Sequence, residues 1–203
     1  MINKHQKRKN NLIFLVYSFP VWIVICCVFM IMIPILSPVN AETTLSSNYN
    51  NKTLQFQLYV NKDENITIQY PTNWEKGKGN FSENIITFRP AKVNPLNNIS
   101  AGVGLFVYDL PYKNVPSQIF NQLFIDSLKK NFSIETNITT ILNNYPAHEV
   151  IFVDNKTGIK GMHIWTINYD KSYIISYITN IQQFSKYLPI VIEMIKSFKF
   201  EIY

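Results

Sequence analysis

The stretch AHEVIFVDNKTGIKGMHIWTINYDKSYIISYIT, residues 147–179, contains three segments rich in β-branched and aromatic residues, separated by two short polar connections. Such segments favour strands, because their side chains pack well on a pleated surface. The connections NKTGIKG and YDKS have the length and composition of hairpin turns. We therefore predict an antiparallel meander at the centre of a sheet, with Trp165 and Tyr177 buried. Its strands are Ala147–Asp154, Met162–Asn168 and Tyr173–Thr179.

Upstream of this stretch, the sequence predicts further strands and one amphipathic helix. Apolar and polar residues alternate from Leu54 to Val60, which is the period of a half-buried strand. From Ser117 to Lys130 the apolar residues recur at helical spacing instead. The segment YPTNWEKGKGN is predicted to be a loop that Trp74 anchors in the core. The other predicted strands are Ile66–Tyr70, Ile85–Phe88, Ala101–Tyr108 and Ile134–Leu142.

A second amphipathic helix is predicted from Leu188 to Phe198, and its apolar stripe requires a surface to cover. The stripe consists of Leu188, Val191, Ile192, Ile195 and Phe198. Pro189 would stand in the first turn, where its missing N–H costs nothing. We expect this helix to pack on the meander, with Ile192 and Ile195 in the core. Hairpins combined with a few helices indicate an α+β fold, in which helices flank an antiparallel sheet.

The 25 residues from Leu12 to Leu36 carry no charged side chain and follow the basic run KHQKRK. At about 1.5 Å per residue, a helix of this length reaches roughly 38 Å, against roughly 30 Å of bilayer hydrocarbon. The basic flank favours a cytoplasmic N-terminus, so the sequence beyond the tract is predicted to lie outside the cytoplasm. The length favours a retained single-pass anchor; the alternative is a signal segment cleaved near Ala41.

These features divide the chain into four predicted parts. Residues 1–11 form a basic cytoplasmic leader, 12–36 the membrane segment, 37–52 a flexible polar linker, and 53–203 an extracytoplasmic domain. Four of the 19 Lys and Arg residues belong to the leader, which leaves 15 against the 13 Asp and Glu residues. The domain is therefore nearly neutral and lacks the basic footprint of a nucleic-acid-binding protein.

Asparagine usage also suggests an exterior location. Seven Asn-X-Ser/Thr sequons follow the apolar tract, and none has a central proline. We predict them as candidate N-glycosylation sites, within reach of a machinery outside the cytoplasm. The asparagines are Asn51, Asn65, Asn80, Asn98, Asn131, Asn137 and Asn155.

The exported part of the sequence contains no recognisable catalytic constellation. Both cysteines, Cys26 and Cys27, lie in the apolar tract, which leaves no disulfide or thiol nucleophile beyond it. Glu149 follows His148, but adjacent residues on a strand point to opposite faces. We interpret His148 and His163 as strand residues hydrogen-bonded to a neighbour. Their replacement by alanine is expected to affect stability and not an activity, so we predict that the protein is not an enzyme.

The two histidines could instead belong to a metal site. If their strands pair, both rings could approach one Zn or Cu ion, with Glu149 or Asp170 as a further ligand. A slip of one residue would place the rings on different faces, and the sequence leaves that register open.

The triplet Asn61-x-Asp63-x-Asn65 imitates the start of a calcium-binding loop. Ile66 stands where such a loop needs glycine, and Thr72 stands where it needs a closing glutamate. We therefore interpret the segment as a solvated hairpin turn and assign no metal or cofactor from the residues alone.

Several segments, in this order and spacing, resemble the PsbP-like superfamily over about Leu54 to Phe200. They are YPTNWEK, ITFRP, NYPAHEVIFVD, GMHIWTINYDKSYIISYIT and LPIVIEMIKSFKF. The resemblance implies an α/β/α sandwich and a non-enzymatic role outside the cytoplasm. The family's namesake is an extrinsic subunit of the oxygen-evolving photosystem that supports calcium and chloride retention, so calcium is implied by resemblance only. The anchor and the dense sequons look more like membrane-anchored archaeal members, and the fold alone does not imply photosynthesis.

Two classes of function follow. The favoured one is a non-catalytic, membrane-anchored exterior domain that binds or stabilises a membrane protein complex. The alternative is a receptor domain at the cell surface for a small ligand or a metal ion. A partner-binding domain should expose an apolar patch, whereas a receptor should contain a concave pocket with convergent polar groups.

Overall fold

The structure, a computed structural model, describes residues 54–78, 83–91, 101–111 and 115–201. It is a mostly-β antiparallel fold, and its described residues include two helices, α1 (Ser117–Lys129) and α2 (Ile181–Ser197). Seven strands form a sheet in the order β3-β4-β5-β9-β8-β7-β6, and three form a smaller sheet in the order β1-β2-β10. The strands are β1 (Phe56–Asn61), β2 (Ile66–Pro71), β3 (Trp74–Gly77), β4 (Asn84–Pro90), β5 (Gly102–Asp109), β6 (Ser133–Leu142), β7 (Tyr145–Asp154), β8 (Ile159–Asn168), β9 (Lys171–Asn180) and β10 (Lys199–Phe200).

The large sheet has a hydrophobic core on each face. On one face, Phe120 and Leu128 of α1 pack against side chains such as Trp165. On the other face, Val191 of α2 packs against alternate residues of β8 and β9, and the small sheet contributes Ile68 to the same core. The described domain is thus a sheet between helices, as predicted, with a second small sheet on the α2 face.

The predicted meander is confirmed. Strands β7, β8 and β9 pair antiparallel in sequence order, and β9 is the middle strand of the seven. Trp165 and Tyr177 are fully buried, on the α1 and α2 faces respectively. The tight turn before β7 has positive φ at Asn143 and Asn144, which asparagine tolerates better than most residues.

The prediction for the final helix is wrong in its start and in one core residue. Helix α2 begins at Ile181, because the side chain of Asn180 caps it by accepting a hydrogen bond from Gln183 N at 2.8 Å. Pro189 therefore lies inside the helix and not in its first turn. Ile192 is exposed, whereas Phe184, Val191 and Met194 form the buried face.

The segment predicted as a loop after Tyr70 contains a strand, β3, because Trp74–Gly77 pairs antiparallel with β4. Trp74 is buried, as predicted. Within the described residues no helix is long and apolar enough to cross a membrane. The predicted leader, membrane segment and linker, residues 1–52, lie outside the described residues.

Candidate functional site

Strand β6 is the outermost strand of the large sheet on the side away from β3. It pairs with β7 on its inner side, and no described residue pairs with its outer side. Its sequence, SIETNITTIL, contains neither lysine nor proline, the residues that commonly protect a sheet edge from pairing with another chain. Ile138 is 50% exposed and Ile141 is 69% exposed. A ten-residue strand with this composition offers both backbone hydrogen-bonding groups and aliphatic side chains to a partner.

A chain of side-chain hydrogen bonds attaches β6 to the rest of the domain on the α1 face. Trp165 Nε1 donates to Asn121 Oδ1 at 2.7 Å, and Asn121 Nδ2 lies 3.5 Å from His148 Nδ1. His148 Nε2 in turn contacts Asn137 Oδ1 on β6. Because the indole N–H can only donate, the amide of Asn121 must present its NH₂ group to His148. His148 is then neutral, with Nδ1 accepting and Nε2 donating.

Burial lowers the pKa of His148, which favours the neutral form that this network requires. The imidazole also packs on Trp165, with 5.0 Å between ring centroids. The network thus orders the middle of β6 from its inner side and leaves the outer edge exposed. Two further contacts support the start of the strand: Ile151 N donates to Thr136 Oγ1 at 3.1 Å, and Lys160 pairs with Glu135 at 2.5 Å.

The prediction that each histidine bonds a neighbour holds for His148 and is wrong for His163. His163 is fully buried, and neither of its ring nitrogens has a hydrogen-bond partner among the described residues. Its ring lies between those of Phe152 and Phe124, at centroid distances of 4.6 and 5.8 Å. Gly161 makes this arrangement possible, because a Cβ there would collide with the ring of Phe152. Burial lowers the pKa of His163 to about 3.

The structure does not bring together the ligands that the alternative of a metal site would require. His148 and His163 share the α1 face as diagonal neighbours, since His148 pairs with Trp165 and Val150 pairs with His163. Glu149 lies on the opposite face, where burial raises the pKa of its carboxyl. Asp170 lies in the turn beyond the far end of β8. No group of three or more His, Cys, Asp or Glu side chains in the described ranges is arranged to hold a metal ion.

The calcium-like triplet forms the turn between β1 and β2, as the hairpin interpretation predicted. Asn61 Oδ1 accepts a hydrogen bond from Glu64 N at 2.9 Å, and Asn65 adopts φ 51°. The side-chain oxygen of Asn61 thus stabilises the turn itself.

Four of the seven sequon asparagines fall within the described residues, and all four are exposed. They are Asn65, Asn131, Asn137 and Asn155. Asn137 differs from the others because its oxygen contacts His148, while its Nδ2, the atom that a glycan would modify, makes no hydrogen bond. Asn51, Asn80 and Asn98 lie outside the described residues.

No local sequence pattern points to β6 or Asn121 as functional, and Asn137 stands out in the sequence only as a sequon asparagine. The missing lysine and proline of SIETNITTIL were visible in the sequence. The order of the strands in the sheet could not be read from the sequence, and only that order shows that this segment lies at an edge.

No protein-family model and no curated protein sequence matches the chain. Solved structures do resemble it. The solution structure of cyanobacterial PsbP (CyanoP) from Synechocystis sp. PCC 6803 is 11% identical with a TM-score of 0.55, and the match covers 78% of this chain and 99% of that one. LpqN of Mycobacterium tuberculosis, described as involved in cell envelope biogenesis, is 10% identical with a TM-score of 0.54, over 73% and 92% of the two chains. The domain therefore has the PsbP-like fold; at these identities the likeness shows the fold alone.

Proposed function

We propose that this protein is a membrane-anchored, extracytoplasmic accessory domain without catalytic activity, and that it binds a protein of a membrane-associated complex through β6. The observation that carries the proposal is the edge of β6, where Ile138 and Ile141 are exposed beside backbone groups that no described strand pairs with. Ile138 and Ile141 lie on opposite faces of the sheet, so they flank a strand edge that another strand could extend and do not form one apolar patch.

The location rests on independent support from the sequence. The basic run before Leu12–Leu36 favours an exterior domain, and the chain after this tract has no cysteine. CyanoP and LpqN share the fold, and LpqN is described as involved in cell envelope biogenesis. Protease added to spheroplasts should therefore degrade a C-terminal tag on the full chain. Protection of the tag would contradict the location.

Binding through β6 can be tested by affinity capture of the full chain from solubilised membranes, followed by mass spectrometry. The test variant is Ile138→Lys with Ile141→Lys, because lysines on an edge strand oppose strand pairing. The matched control is Ile192→Lys, which changes another exposed isoleucine on α2. We expect one stoichiometric partner to be retained by the wild type and the control and lost by the β6 variant. Equal capture by both variants would contradict a role for β6.

A crosslink gives the same test without a stability effect. A photoreactive amino acid at position 141 should join the captured partner, whereas one at position 192 should not. If β6 variants instead retained the partner and lost a bound metal or small molecule, the receptor alternative would replace this proposal.

A further inference from the structure

A second exposed aliphatic surface lies on β1, the first strand after the predicted membrane segment. Leu58 is 56% exposed and Val60 is 41% exposed, and Leu54 just before the strand is also exposed. Residues two apart on a strand share a face, so Leu58 and Val60 point away from the face of Tyr59, which packs on the core. Phe56, on the same side of the strand, is partly buried against the core, so the exposed surface consists of Leu58 and Val60, which we call the β1 strip.

The length of the preceding chain limits where this strip can be. Seventeen residues separate Leu36, the end of the predicted span, from Leu54. A chain of that length covers at most about 60 Å even when fully extended. If the tract spans the bilayer, the β1 strip is therefore held close to the membrane surface at a high effective concentration. A surface that would bind a bilayer weakly in free solution can stay in contact under these conditions.

An aromatic residue lies near the end of this strip. Lys171 pairs with Glu64 at 2.8 Å, which holds the β8–β9 turn against the β1–β2 turn. Tyr169, in the β8–β9 turn, is 86% exposed and has φ 56°, a left-handed conformation that bulky residues rarely adopt. Tyrosine is enriched at membrane–water interfaces because its ring is apolar and its hydroxyl is polar.

We propose that the β1 strip, with Tyr169 beside it, rests on the lipid surface of the membrane that anchors the chain. The inference rests on the membrane anchoring of the proposed function and adds an orientation: the β1 side of the domain faces lipid. The charged residues near Val60 are balanced, with Lys62 and Lys199 against Asp63 and Glu201. The contact is therefore apolar in origin, and anionic lipid or salt should change it little.

The chain is well suited to a site-specific test, since its only cysteines are Cys26 and Cys27. With both replaced by serine, Val60→Cys can be labelled with an environment-sensitive fluorophore. The full chain is then reconstituted in phosphatidylcholine vesicles that contain a doxyl-labelled phosphatidylcholine as quencher. The matched control carries the label at Ile141→Cys on β6, where the side chain is also exposed.

We expect quenching at position 60 to exceed quenching at position 141 several-fold, and Leu58→Asp to abolish the difference. Addition of phosphatidylglycerol should leave the result unchanged. Equal quenching at the two positions would overturn the proposal, as would a difference that Leu58→Asp does not alter. Vesicle flotation in alkaline carbonate separates this failure from that of the proposed function. A chain that does not float with the vesicles is not anchored in the membrane. A chain that floats but shows no preferential quenching at position 60 is anchored and does not rest on the β1 strip.

Discussion

Strands β1 and β6 both lie at the edge of a sheet and both expose aliphatic residues, but they differ in length and in how these side chains are arranged. No described residue pairs with the outer backbone edge of the ten-residue β6, and its exposed isoleucines, Ile138 and Ile141, point to opposite faces of the sheet. On β1 the exposed aliphatic residues share one face of a small sheet whose other face is core. A strand edge can add another strand, which requires a protein partner, whereas a one-sided aliphatic strip needs only an apolar surface.

The comparison assigns a different kind of contact to each end of the fold. Strand β1 is the first described strand after the predicted anchor, and β6 is the terminal strand of the large sheet. A domain that rests on lipid through β1 would hold β6 at a defined orientation to the membrane. The predictions below test whether each surface is distinct from the core beneath it.

The largest expected effect is a difference in stability between variants of two neighbouring residues on β6, Leu142 and Ile141. Leu142 is buried, so Leu142→Ala should lower the free energy of unfolding by about 2–5 kcal/mol. Ile141→Ala should change it by no more than about 0.5 kcal/mol, because that side chain is 69% exposed. Urea denaturation of both variants gives the two values. Similar losses in both would show that Ile141 belongs to the core and that β6 does not present an open apolar edge.

The next effect is a pH dependence of stability that arises from His163, in the core beneath β7 and β8. Because His163 is neutral in the fold, with a pKa of about 3, and takes up a proton near pH 6.5 when unfolded, acid favours the unfolded chain. The free energy of unfolding should therefore fall by about 2 kcal/mol between pH 7.5 and pH 5 from this residue alone. The stabilisation is complete above pH 6.5 and is lost as the pH falls toward 3.

His163→Leu should remove most of this pH dependence, since leucine fills a similar volume between Phe124 and Phe152 without a group to protonate. His148→Gln is the control, because His148 is only half-buried and the variant retains His163. Urea midpoints of the three proteins at several pH values give the comparison. An unchanged slope in His163→Leu would mean that His163 is not the residue that couples folding to protons.

The meander illustrates what the sequence could predict. Its strands were recognised because each consists of β-branched and aromatic residues and each turn is short and polar, so local pattern and global pairing agree. The start of α2 could not be read in the same way. Pro189 suggested a first turn and a start at Leu188, but the cap at Asn180 and the burial of Phe184 set the start at Ile181, seven residues earlier.

The candidate site depends on long-range pairing that no local pattern contains. His148 and Asn137 are eleven residues apart in sequence and meet because β6 and β7 pair, and Asn121 joins them from α1. The buried state of His163 depends on the same register, together with the absence of a side chain at Gly161. Register can slip by one residue without changing the hydrophobic composition, so the sequence left these contacts open.

The smallest predicted effect tests whether Tyr169 belongs with the β1 strip. A left-handed conformation costs an L-residue about 1–2 kcal/mol, and asparagine tolerates it better than tyrosine does. Tyr169 is too exposed to recover this cost through packing, so Tyr169→Asn should raise the free energy of unfolding by about 0.5–1 kcal/mol. In the vesicle assay the same variant should reduce quenching at position 60, because it removes the aromatic ring from the interface. A variant that is more stable but shows less quenching would indicate that the strained tyrosine serves membrane contact and not folding. A loss of stability would show that the ring contributes to the fold. Unchanged quenching would confine the lipid surface to β1.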